Sequence, residues 1–68
     1  MLTVRELMAN VEVQGEVIVR EYSHEKEEYT AEEPIHSEAA TRLMDKEAKY
    51  IYPLPDGKSL AIEVFAEE

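Results

Sequence analysis

The sequence predicts an α+β fold, a small antiparallel sheet with two short helices in the order α-β-β-α-β-β. Three stretches carry that expectation: a capped apolar stripe beginning at Thr3, a β-branched run from Glu16 to Tyr22, and a strict alternation from Leu60 to Phe65 behind an Asp-Gly turn.

The first helix has the clearest signals. Thr3 is placed as N-cap and Glu6 completes a capping box three positions later. Leu2 and Leu7 stand where a hydrophobic staple would put them, and Val4, Leu7, Met8 and Val11 form one apolar stripe. Asn10 is the expected left-handed end. Val11-Glu12-Val13-Gln14 alternates as a short strand would, and Gly15 marks a turn or bulge before the next segment. Val17, Ile18 and Val19 make Glu16–Tyr22 a strand; Ser23-His24-Glu25-Lys26 is a polar hairpin loop, and residues 27–30 are the returning, ragged strand. Pro34 ends it, since the residue before a proline is pushed away from helix.

A second helix is expected from Ser37 as N-cap to about Lys46, with Ala40, Leu43 and Met44 facing inward and Lys46 matched to the macrodipole. Residues 48–52 read as a strand. Leu54-Pro55-Asp56-Gly57-Lys58 is the sharpest turn signal in the chain. After it, Leu60, Ile62 and Val64 face one way and Ala61, Glu63 and Phe65 the other. Residues 1–68 thus read as one domain, with Ala66-Glu67-Glu68 expected to fray.

Composition narrows the function classes. Sixteen Asp and Glu against seven Lys and Arg give a formal charge of −9 over 68 residues, and there is no cysteine. Without cysteine there is neither a disulfide nor a thiolate for metal binding or nucleophilic attack. That absence, and an opening segment with no apolar run of signal-peptide or membrane-span length, set the expected location as the cytoplasm. Direct contact with nucleic acid or an anionic membrane is disfavoured, because such affinity rests on cations that release counterions. A basic protein surface is the expected partner.

Chemistry-bearing patterns are sparse. His24-Glu25 opens like a zinc-protease motif, but position 28 is Glu and the second histidine is missing. His36 lies across a proline break from His24, so no metal is expected. Ser23, Ser37 and Ser59 sit in turn or cap positions, and Gly15 and Gly57 are isolated, which leaves no nucleophile elbow and no phosphate cradle. The expectation is a chain without catalytic residues or a cofactor.

Two patterns point to interaction instead. From Glu21 to Glu33 six glutamates (Glu21, Glu25, Glu27, Glu28, Glu32 and Glu33) face the single Lys26, and Glu12, Glu16, Glu38 and Glu63 add carboxylates elsewhere. Carboxylates on a rigid hairpin suit a basic, nucleic-acid-binding surface, with Tyr22 and Tyr29 as candidate anchors. Tyr50, Tyr52 and Phe65 form a second candidate surface, an oligomer interface through the sheet that would relieve the small core of a short chain.

A cysteine-free, strongly acidic chain of this length, opening MLTVRELM and closing YIYP…DGKSLAIEV, resembles the small proteins encoded by bacteriophages and mobile elements. That class includes anti-CRISPR proteins and other inhibitors of host defence. The resemblance implies an inhibitor acting in the bacterial host cytoplasm, on the cationic channel of a nuclease, and assigns a role to no single residue.

Overall fold

The computed structural model describes residues 1–67. Its elements are helix α1 (Val4–Asn10), strands β1 (Glu16–Ser23) and β2 (Glu28–Pro34), a 3₁₀ helix (Glu38–Leu43), and strands β3 (Tyr50–Pro53) and β4 (Ser59–Phe65). The α+β class and the order of elements agree with the sequence reading. The sheet, however, is mixed and not antiparallel: its order is β2-β1-β4-β3, and the central pair β1 and β4 is parallel. Both hairpins form as expected. Residues 35–49 then carry the chain back over one face, so that β3 starts at the same end as β2 and β4 runs with β1.

Helix α1 begins as its sequence requires. Thr3 Oγ1 accepts from the Glu6 amide and Glu6 Oε1 accepts from the Thr3 amide, both at 3.1 Å. Two further amides at this end find carbonyls elsewhere: Val4 N–H donates to Lys46 O at 3.0 Å and Arg5 N–H to Met44 O at 2.8 Å. The far end differs from expectation. There is no left-handed cap; the chain leaves in extended conformation at Val11, and Asn10 Nδ2 donates to Glu6 O at 2.7 Å. The Asn10 side chain thus folds back one turn onto the helix while the backbone goes directly into the extended conformation at Val11. Residues 11–14 are not a strand either, because β1 is already flanked on both sides by β2 and β4. Val11 is exposed and only Val13 packs on the core.

The second helix is tighter and shorter than expected. Ser37 stands at its N-cap but makes no capping bond; its hydroxyl donates to Pro34 O at 2.7 Å. Beyond Leu43 the carbonyls of Met44 and Lys46 are claimed by α1, and Lys46 Nζ reaches the Phe65 carbonyl at 2.9 Å. These outside partners draw the chain off an α-helical path and leave a 3₁₀ segment.

The core lies on one face of the sheet. Val17 and Val19 of β1 and Ile62 and Val64 of β4 pack against Val4 of α1, Ile35 and Leu43, with Leu7, Met8 and Met44 at the margin. Leu43, Ile62, Val4, Val19 and Val64 are fully buried, and each contributes on the order of 1.5–3 kcal/mol. The tail is held one residue further than expected, since Ala66 N–H donates to Tyr22 O at 2.9 Å; Glu68, also expected to fray, lies outside the described residues.

Two turns need left-handed backbone. Gly57 has φ 72 in the β3–β4 turn, where Asp56 Oδ1 accepts from the Lys58 and Ser59 amides at 2.8 Å and Oδ2 from the Ser59 hydroxyl at 2.7 Å. The β1–β2 turn assigns the same role to Glu27, with φ 54, a conformation costly for a residue with a Cβ. Glu27→Gly is accordingly expected to stabilise the protein by about 0.5–1 kcal/mol, the relieved strain outweighing the added freedom of the unfolded chain. Urea denaturation reads this directly, and a destabilised variant would contradict it.

Candidate functional site

Strand parity and register place two groups of polar and aromatic side chains on opposite faces. On the face away from the helices, Arg20 and Tyr22 of β1 stand beside Glu63 and Phe65 of β4, flanked by Tyr29 and Glu32 of β2 and by Tyr50 and Tyr52 of β3. Their rings form a ladder. Tyr50 lies 6.0 Å from Phe65, Phe65 4.3 Å from His24, His24 5.1 Å from Tyr22, and Tyr22 5.1 Å from Tyr29. The middle contacts are edge-on, as ring quadrupoles favour.

Two cations lie on the ladder, one at its Tyr29 end and one on Phe65. The Arg20 guanidinium stacks 3.7 Å above Tyr29, donates to Tyr52 Oη at 3.1 Å and pairs with Glu32 through Nε; Lys49 Nζ sits 5.4 Å from the Phe65 centroid. Beneath them is a nearly buried carboxylate. Glu63 Oε1 accepts from Tyr52 Oη at 2.8 Å and Tyr29 Oη at 2.9 Å. Burial first, then the hydrogen bonds with Tyr29 and Glu63, push the Tyr52 phenol well above its ordinary value. Ala61 is fully buried although its face has no helix over it, because these long side chains roof it.

On the helix-covered face, at the same end of the sheet, Glu21 is buried among cations. Arg42 Nη1 lies 3.3 Å from Oε2, Lys46 Nζ 3.2 Å from Oε2, and Thr30 Oγ1 donates to Oε1 at 3.0 Å. Burial alone would raise the Glu21 pKa, but the hydrogen bonds from Arg42, Thr30 and Lys46 outweigh it and hold the carboxyl below the usual range. An open depression of about 470 Å³ lies over this network, lined also by Ser23, Glu25, Lys26 and Glu67.

The structure therefore separates residues that the sequence presented as one acidic run. Glu21 faces inward onto Arg42 and Lys46, Glu32 is paired with Arg20 on the open face, and Glu33 is half-buried opposite Val19 on the helix side. Glu25, Glu27 and Glu28 remain together, exposed at the β1–β2 turn. Tyr22 and Tyr29 pair across the first hairpin, flanking its turn as expected, and their rings belong to the ladder. Tyr50, Tyr52 and Phe65 share the open face, as their spacing implied, with Tyr52 turned inward onto Glu63. The sequence reading did not single out Arg20, weighed His24 only as a metal ligand, and counted Glu63 only as one carboxylate among many. Their i, i+2 spacing from Tyr22 and Phe65 was the available signal, and it needed the parallel register to have meaning.

His36 is exposed beside a small apolar depression lined by Met8, Val13 and Ile35, far along β1 from His24. Among the described residues no group of His, Cys, Asp or Glu has the geometry to hold a metal ion, and no helix is long and apolar enough to cross a membrane. The serines serve the backbone: Ser23 Oγ accepts from Lys26 N–H, and Ser59 and Ser37 bond within their turns. Comparison with family models, curated proteins and solved structures gives no match to this chain.

The lowered carboxyls have a pH consequence. Glu21 and the turn carboxylate Asp56, held down by the Lys58 amide and then by Ser59, each contribute stability that is complete above about pH 4–4.5 and lost as pH falls through the depressed folded-state value. Glu21→Gln is expected to cost about 1–3 kcal/mol at pH 7, by leaving Arg42 and Lys46 without their anion, and to flatten the loss of stability below pH 4.5. Urea midpoints from pH 7 to 3 for both proteins test this; parallel curves would contradict it.

Proposed function

We propose that this protein is a non-catalytic interaction module that engages a basic protein surface through its first hairpin. The observation that carries the reading is the placement of the carboxylates. Glu25, Glu27 and Glu28 are exposed together on one tight turn, while Glu21 is buried against Arg42 and Lys46 and Glu32 stands on the sheet beside Arg20. With −9 over the whole chain, this end of the molecule would draw cationic partners at long range and repel phosphates. A non-catalytic role is supported by the chemistry of the polar groups that do converge. Glu21 is committed to Arg42, Lys46 and Thr30. Tyr29, Tyr52 and Glu63 are likewise bonded to one another, with Arg20 held by Tyr52 and Glu32.

In concrete form, the module is an inhibitor of the phage-encoded kind that lies in the cationic channel of a nucleic-acid-binding nuclease and stands in for phosphates. Steering of this sort sets the on-rate and weakens with salt. A pull-down against a panel of purified nucleic-acid-binding nucleases, at low and high salt and with competing DNA, is expected to retain a nuclease at low salt and release it to DNA. The triple reversal Glu25→Lys, Glu27→Lys, Glu28→Lys is expected to weaken that binding by about 100-fold or more while the fold survives, because these side chains touch nothing in the core. Binding indifferent to salt and to the reversal would sink the proposal.

A further inference from the structure

The open sheet face requires a separate account, because its chemistry is unlike the rest of the molecule. The charged groups on the aromatic ladder or paired to its cations are Arg20 and Lys49 on one side of the balance and Glu32, Glu47 and Glu63 on the other. They sum to −1 in a chain that carries −9; the nearest further carboxylate of β1 on this face, Glu16, stands at the far end of the strand. A basic partner has no electrostatic reason to choose this face over the hairpin. Two copies of the chain, in contrast, meet far less repulsion here than at the hairpin turn. The face also carries both signs of charge, so a two-fold axis can set the cations of one copy against the anions of the other.

The sheet edges are closed to the same event. Ile35 N–H donates to Val17 O and Leu54 N–H to Ser59 O, each at 2.9 Å, and ladder positions alternate from there. Pro34 on β2 and Pro53 on β3 therefore fall at the next positions, the ones that point outward. A proline there removes a donor that an incoming strand would need and sacrifices nothing inside the sheet. The β1–β2 ladder is also interrupted by a bulge at Glu21/Tyr22. Association by strand addition is blunted at both edges, while the face carrying Tyr22, Tyr50 and Phe65 is left uncovered.

We propose that this face is the seat of a second copy of the chain, the two sheets stacking face to face about a two-fold axis. The reading is independent of the basic-partner proposal. Four strands about 4.8 Å apart, seven residues long at about 3.3 Å each, offer roughly 19 × 23 Å. That is about half the area a standard interface uses per partner, so the dimer is weak and concentration-dependent.

Sedimentation between about 10 µM and 1 mM is expected to show a monomer–dimer equilibrium with Kd on the order of 10–100 µM. Added salt strengthens it, by screening the repulsion between two −9 chains, and so moves it opposite to the binding of a basic partner. Tyr50 and Ile51 provide a matched pair of variants: they are adjacent on β3 and similarly exposed, at 58% and 50%, but point to opposite faces. Tyr50→Glu is expected to weaken the dimer at least about tenfold, and Ile51→Glu to leave Kd within about twofold. Urea midpoints for both confirm folding. A monomer throughout, even at high salt, would overturn the proposal, as would equal disruption by the two variants. Saturable binding of a single-stranded oligothymidylate that broadens the Tyr22 and Phe65 resonances of a monomer would overturn it in favour of base stacking.

Discussion

Because β1 and β4 run side by side in the same direction, Val17 and Val19 come to lie against Ile62 and Val64 on one face, and Arg20 and Tyr22 against Glu63 and Phe65 on the other. Everything else follows from that pairing. The hairpin partners β2 and β3 are pushed to the edges, and the chain between them must cross one face, where its 3₁₀ helix and α1 complete the core. Among the described residues no further element covers the second face. That face is roofed instead by its own long side chains, with Arg20, Tyr29 and Tyr52 lying over Ala61 and Glu63.

Each face buries one carboxylate, and the two are stabilised by different chemistry. Glu21 is surrounded by formal charge: Arg42 and Lys46 compensate its desolvation, and Thr30 supplies a neutral hydrogen bond. Glu63 is held by two phenols, with Arg20 bonded to one of them. The Glu21 network also ties the crossover to the sheet, since Lys46 bonds Phe65 O as well, and the carbonyls of Met44 and Lys46 receive the first amides of α1. Removing one partner there loosens three elements at once.

Much of this was legible in the sequence where the signal was local. The Thr3–Glu6 capping box, the Asp56-Gly57 turn and the facing of Leu60–Phe65 depend on residues within a few positions of one another, and each stands as read. What escaped was set by distant partners. Asn10 reads as a left-handed cap until its amide finds Glu6 O. Residues 38–46 read as an α-helix until Lys46 is committed to Phe65 and Glu21. The parallel pairing of β1 with β4 leaves no trace in either strand, since alternation is the same in both directions. Without it the acidic run from Glu21 to Glu33 looks continuous; strand parity and the bulge at Glu21/Tyr22 deal its members to two faces and a turn. The open-face cluster was half legible, because Tyr50, Tyr52 and Phe65 are conspicuous whereas Arg20 and His24 acquire meaning only beside them.

The distribution of cations sharpens the charge argument. Of the seven Lys and Arg residues, Arg5, Arg20, Arg42, Lys46 and Lys49 are all engaged in ion pairs within the fold. Such pairs cancel at a distance, so the field beyond the surface comes from carboxylates with little positive charge interspersed. The molecule uses its cations to hold Glu21 in place and to cap the ladder. What it presents outward is therefore more strongly segregated than its composition: a turn rich in exposed carboxylates, and a sheet face whose charges nearly balance. A fold that had spread the same residues evenly would offer neither a directional field nor a surface on which two like-charged copies could meet.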